Sequence, residues 1–95
     1  MRNYELVMII NPSVDDEGAT ATIEKTSKFI TDRGGIIQEV NQWGRKKLAY
    51  SIKNCAEGNY IYTKLSMDPK LTAELEASIE ISEDILRHLL VKLSD

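Results

Sequence analysis

The sequence is poor in the residues that most small enzymes and metal proteins depend on. It has one cysteine, Cys55, and one histidine, His88, in 95 residues. A single thiol cannot close an internal disulfide, and it cannot build a zinc site without other ligands. There is no CxxC pair, no GxxxxGK[ST] loop and no GxGxxG turn, so neither a metal-carrying cysteine motif nor a phosphate cradle is expected. No apolar run approaches the ~18 residues that span a bilayer. The opening Met1-Arg2-Asn3-Tyr4-Glu5 lacks the charged leader, apolar stretch and small-residue cleavage site of a secretory signal. A cytoplasmic setting, no cofactor, no metal, no membrane and no small-molecule substrate are the expectations. Internal repeats, linkers and low-complexity segments are also missing.

What is present is an ordinary globular composition, 42% hydrophobic and 28% charged, in a length that suits one domain over residues 1–95. A domain of this size hides roughly 60–70% of its unfolded surface, enough for one core. Residues 2–10 hold the aliphatic run Leu6-Val7-Met8-Ile9-Ile10, and Asn11-Pro12 ends it as a first strand. Ser13, three residues before Asp16, reads as a helix N-cap. Ala19, Ile23, Thr26 and Ile30 then recur at helical spacing until Gly34-Gly35, predicting a helix over about 14–33. Residues 36–53 have strand character with a bend at Trp43-Gly44. Residues 54–58 suit a hairpin turn, and 59–67 alternate as a strand. Asp68-Pro69 starts a second helix carrying Leu71, Leu75 and Ile79, and residues 85–92 make a last strand.

The order β-α-β-β-α-β predicts an α+β, ferredoxin-like fold: a four-stranded antiparallel sheet with both helices on one face. Tyr4, Leu6, Met8, Ile10, Ile61, Leu65, Met67 and Leu90 are assigned inward. Val7, Ile9, Tyr60, Tyr62, Leu89 and Val91, with Lys64 and Arg87 nearby, then lie on the uncovered face. That face reads apolar where an open sheet normally reads polar, which marks an interaction surface. A one-residue slip in one strand would reverse the assignment.

The charges divide by element. Over 13–33 and 68–84 there are eleven acids and four bases, a balance of −7; the remainder has eight bases and four acids, +4, giving the net −3. A basic sheet and loops attract phosphate. The sharpest cluster is Arg45-Lys46-Lys47 beside Trp43, though a solvated charge run at a strand bend is the plain alternative. The tyrosines suit packing or stacking better than acid catalysis, and nothing in the topology brings His88 to Cys55.

Several segments together resemble a known family. Arg2-Asn3-Tyr4-Glu5, Asn11-Pro12, Trp43-Gly44-Arg45-Lys46-Lys47-Leu48-Ala49-Tyr50 with Ile52, Gly58-Asn59-Tyr60, and Ile85-Leu86-Arg87-His88-Leu89 with Val91-Lys92 look like the ribosomal protein S-six family of the bacterial small subunit. The resemblance runs from Met1 to about Leu93. It implies a non-enzymatic, ribosome-associated protein that binds the central domain of 16S rRNA as a heterodimer with small-subunit protein eighteen. Carried onto this chain, it makes Arg2, Arg45, Lys46, Lys47, Arg87 and Lys92 the expected rRNA contacts. The partner surface is expected on Val7, Ile9, Tyr60, Tyr62, Lys64, Leu89, Val91 and strand two. Many members have a longer, charged tail; this chain ends at Asp95, so no tail function is expected.

Other readings predict different features. A base-stacking RNA-recognition module needs a basic-glycine-aromatic-glycine signature that Gly58-Asn59-Tyr60-Ile61-Tyr62 matches poorly. A small-molecule regulatory domain would pair with itself and ignore RNA. A phosphatase of the acylphosphatase kind needs an arginine-bearing loop where Asn11-Pro12-Ser13-Val14 stands.

Overall fold

A computed structural model describes residues 1–93; Asp95, counted above among the acids, lies outside the described residues. The elements are β1 (Arg2–Ile10), α1 (Asp16–Asp32), β2 (Ile36–Ile52), β3 (Cys55–Met67), a 3₁₀ turn (Pro69–Leu71), α2 (Thr72–Glu80) and β4 (Ile85–Lys92). They form one antiparallel sheet in the order β2-β3-β1-β4. β1 is therefore central, paired with β3 on one side and β4 on the other. The expected ferredoxin-like fold is the fold found.

The alternation along β1 decides which face is buried. Tyr4, Leu6, Met8 and Ile10 pack with Ile61, Leu65 and Met67 of β3. Ala19 and Ile30 of α1 and Leu75 and Ile79 of α2 close over them, with Ile23, Phe29, Leu71 and Leu90 at the margin. All seven inward residues predicted for β1 and β3 are buried.

The boundaries differ from expectation in three places. Asp15 caps α1, accepting a bond from the Gly18 amide at 2.7 Å. Ser13, the expected cap, instead donates to Asn11 Oδ1 through both its amide and its hydroxyl, so it belongs to the turn that precedes the helix. The hairpin turn is Lys53-Asn54, both at positive φ (49° and 66°), not 54–58. Two such residues make the tight turn whose twist matches the flanking strands, so β3 starts at Cys55, four residues earlier than expected. The second helix opens as a 3₁₀ turn capped by Asp68, which accepts from the Lys70 amide.

Beyond the end of β1, β2 and β3 continue alone as a two-stranded arm from Lys46 to Gly58, since Asn59 is the last β3 residue that β1 pairs. Two glycines set the base of this arm. Gly44, at φ +86°, follows the register shift between Gln42 and Gly44 and bends β2 as the Trp43-Gly44 pair predicted. Gly58 lies so close to β1 that a Cβ there would sit 2.2 Å from Ile9 Cγ2.

These two glycines should respond differently to substitution. Gly44→Ala meets nothing within 4 Å and carries only the left-handed backbone cost, about 1 kcal/mol. Gly58→Ala must displace a buried β-branched side chain, so a loss of about 1–3 kcal/mol is expected. Urea unfolding of both variants checks the order; equal midpoints would contradict the close approach.

Candidate nucleic-acid and protein interface

The face that no helix covers can be followed in rows across the sheet, about 7 Å apart along each strand. In the first, Gln38 Nε2 donates to Ser66 Oγ, and the Ser66 hydroxyl donates to Asn3 Oδ1. In the second, Glu39, Lys64, Glu5 and Val91 stand in register on β2, β3, β1 and β4. The third runs from Asn41 through Tyr62 and Val7 to Leu89, and the fourth from Gly44 through Tyr60 and Ile9 to Arg87. The face thus grades from a polar end to an apolar and aromatic end.

Trp43, expelled from the ladder by the bulge, lies flat on Tyr62, with ring centroids 5.3 Å apart and planes within 10°. Lys46 Nζ sits 5.1 Å from the Trp43 ring and 5.9 Å from that of Tyr60. A stack and a cation over a ring each contribute about 0.5–1.5 kcal/mol, so this cluster holds the arm to the sheet. The Tyr62 hydroxyl donates to the Glu5 carboxylate. That bond, with the nearby charges of Glu5 and Glu39 and some burial, pushes the phenol from 10.0 up to about 12. At the far edge, Arg87 Nη1 donates to the Tyr50 hydroxyl at 2.6 Å, joining the two edge strands through the arm.

The expected partner residues do share this face, but not equally. Leu89 (57% exposed) and Val91 (42%) are open to solvent. Tyr60, Tyr62, Val7 and Lys64 are half-buried. Ile9, expected to be uncovered, is 9% exposed: Tyr60 and Arg87 flank it, and the missing side chain of Gly58 lets it settle against β3. The uncovered apolar surface is therefore the β4 half, with Trp43 (47% exposed) on the β2 half.

The six expected rRNA-contacting bases do not form one patch. Arg2 and Lys92 are exposed at the start of β1, opposite Met67 and Tyr4. Arg45, Lys46, Lys47 and Arg87 lie at the other end, with Arg87 seven residues along β1's register from Arg2, or about 23 Å. Within the second group, Arg45 turns away from the open face, donating to the Pro12 carbonyl at 2.8 Å and lying 3.8 Å from Glu57. It braces the arm against the loop after β1. Lys46 and Arg87 share the open face with the aromatics, and Lys47 is exposed on the arm. Tyr50 and Glu5 lie within segments singled out in the sequence, but nothing local shows that Tyr50 would accept from Arg87 or that Glu5 would hold Tyr62.

Comparisons with known proteins agree with this architecture. The profile of the family described as ribosomal protein S6 matches residues 3–92. A small ribosomal subunit protein bS6 of Moorella thermoacetica is 40% identical over 95 residues, covering 100% of this chain and 97% of its own. That of Desulforudis audaxviator is 42% identical, covering 97% and 98%. The crystal structure of 30S ribosomal protein S6 from Thermotoga maritima superposes with a TM-score of 0.92 at 32% identity, covering 97% of this chain and 87% of that one.

Because Tyr62 is stabilised in its neutral form, its contribution to stability is complete below pH 10 and is lost as pH rises through about 12. Phenolate absorbance against pH should show one of the four tyrosines ionising near pH 12. In Glu5→Gln that tyrosine should move back toward 10; a wild-type curve with all four titrating together near 10 would rule out the pairing.

Proposed function

This chain belongs to the ribosomal protein S6 family, and from that premise we propose that it is a structural component of the small ribosomal subunit that binds the central domain of 16S rRNA together with small-subunit protein eighteen. The observation that carries this reading is the juxtaposition, on one uncovered face, of an exposed apolar edge and a cationic arm. Leu89 and Val91 on β4, continued by Val7, offer the protein partner a dry surface. Lys46, Lys47 and Arg87 at the adjoining end meet phosphate, and Arg45 acts indirectly by holding the arm in place. Arg2 and Lys92 form a second, separate basic point at the opposite end. Two points about 23 Å apart suit a protein that orients on folded RNA by shape rather than by reading bases.

The net charge of −3 and the acidic helix layer limit what these few bases can do alone. Affinity is therefore assigned to the pair: with both proteins joined, the second RNA contact becomes intramolecular. A self-sufficient base-stacking module fits less well, because Trp43 already covers one face of Tyr62 and Lys46 stands over Trp43 and Tyr60. No helix among the described residues is long and apolar enough to cross a membrane.

Titration onto a central-domain 16S fragment at two salt concentrations tests this. Strong, salt-sensitive binding is expected only with the partner present; tight binding by this chain alone would favour the independent module. Leu89→Glu with Val91→Glu should abolish heterodimer formation while leaving the fold intact by circular dichroism. Lys47→Ala should reduce the salt slope of the heterodimer by about 1, and an unchanged slope would remove Lys47 from the RNA contacts.

A further inference from the structure

A second cluster lies where α2 meets β4, on the helix side of the sheet. His88 is in register with Met8, whose side chain points into the core, so the imidazole turns toward the helix layer and its side chain is 15% exposed. Glu76 and Glu80 are four residues apart on α2, a spacing that puts both carboxylates on one side of the helix. His88 Nε2 is 3.0 Å from Glu76 Oε2, and one donor atom from each of the three residues lies within 4.8 Å of the other two. Two like charges one turn apart repel, and among the described residues no lysine or arginine forms an ion pair with either carboxylate. Among the described residues, His88 is the only side chain paired with either carboxylate.

We propose that Glu76, Glu80 and His88 form a site for a divalent transition-metal ion, of which Zn²⁺ is the natural probe. One nitrogen and two carboxylate oxygens make a three-donor set that leaves a position for water. The nitrogen donor favours zinc and its first-row neighbours over calcium or magnesium, which prefer oxygen alone. Metal–ligand bonds of ~2.0–2.2 Å in a tetrahedron hold the donor atoms ~3.4 Å apart. The His88–Glu76 separation is already close to that value. The exposed Glu80 side chain need only swing inward by about an ångström to complete the set. The donors come from a helix and an edge strand that the chain joins only through Ile81–Asp84, so the ion would clip α2 to β4. This site is independent of the RNA and partner surfaces.

Zinc chloride titrated calorimetrically into the metal-stripped full chain should bind one equivalent. His88→Gln and Glu80→Gln should each weaken binding by about tenfold or more, with folding checked by circular dichroism. Cys55→Ser should leave the affinity unchanged, since Cys55 is the one competing thiol. In the wild type, with no substitution needed, the imidazole resonances of the sole histidine should shift on zinc addition and not on magnesium addition. No uptake, an affinity that survives His88→Gln, or imidazole resonances that stay put would each overturn the assignment, and loss of binding in Cys55→Ser would reassign the ion to the thiol.

Discussion

The structure depends on a single strand that has to satisfy two environments at once. β1 lies at the centre of the sheet, hydrogen-bonded on both edges. One row of its side chains is sealed under α1 and α2 and the other faces outward. Because strand side chains alternate strictly, Tyr4, Leu6, Met8 and Ile10 cannot be buried without Glu5, Val7 and Ile9 being presented on the opposite face. The nine residues of β1 thus contribute to the core and to the open face at once. The helices, with their excess of acids, lie behind the sheet, which sets most of the molecule's negative charge away from the open face.

The open face divides its tasks by position. The polar clasp of Gln38, Ser66 and Asn3 and the charged row beside it are largely satisfied within the sheet. The opposite end carries the exposed apolar and aromatic groups. There, the arm brings cations to the rim, and side-chain contacts tie it to the sheet: Lys46 over the Trp43 and Tyr60 rings, Arg87 on Tyr50, and Arg45 on the Pro12 carbonyl. Each bond is modest, and their convergence on a two-stranded ribbon gives the arm a defined direction, since such a ribbon is marginal by itself.

Most of the architecture was legible because periodicity reports burial directly. The inward set on β1 and β3, the stripe Leu71-Leu75-Ile79 and the bend at Trp43-Gly44 all follow from spacing or backbone chemistry. Local boundaries were harder where neighbouring residues compete for one role. Ser13 and Asp15 are both competent caps, and only the turn at Asn11 decides between them. The hairpin position turned on Lys53 adopting positive φ, which its side chain does not advertise. The site was the least legible part. The order of residues does not say that Arg2 and Lys92 gather at one end of the sheet and Arg87 at the other, nor which of Arg45 and Lys46 the bulge at Trp43 turns to the open face. Ile9 reads as exposed from alternation, and its burial depends on Gly58, a residue 49 positions away.

The topology also sets a schedule for the chain during synthesis. β1 is the first strand made, yet one of its two neighbours, β4, ends at Lys92. Until that segment has left the ribosome that is translating it, the central strand carries an unpaired edge and Leu6, Met8 and Ile10 lack part of their cover. Helices α1 and α2 and the β2–β3 hairpin can form locally as they emerge, but the sheet closes only across a loop of more than seventy residues. The newly made protein therefore completes its open face in one late step, because β4, the strand that completes the fold, is also the strand that carries the exposed Leu89 and Val91. A chain that stops short of β4 cannot display that apolar edge, so on the function proposed above the order of the strands would itself keep incomplete copies out of assembly.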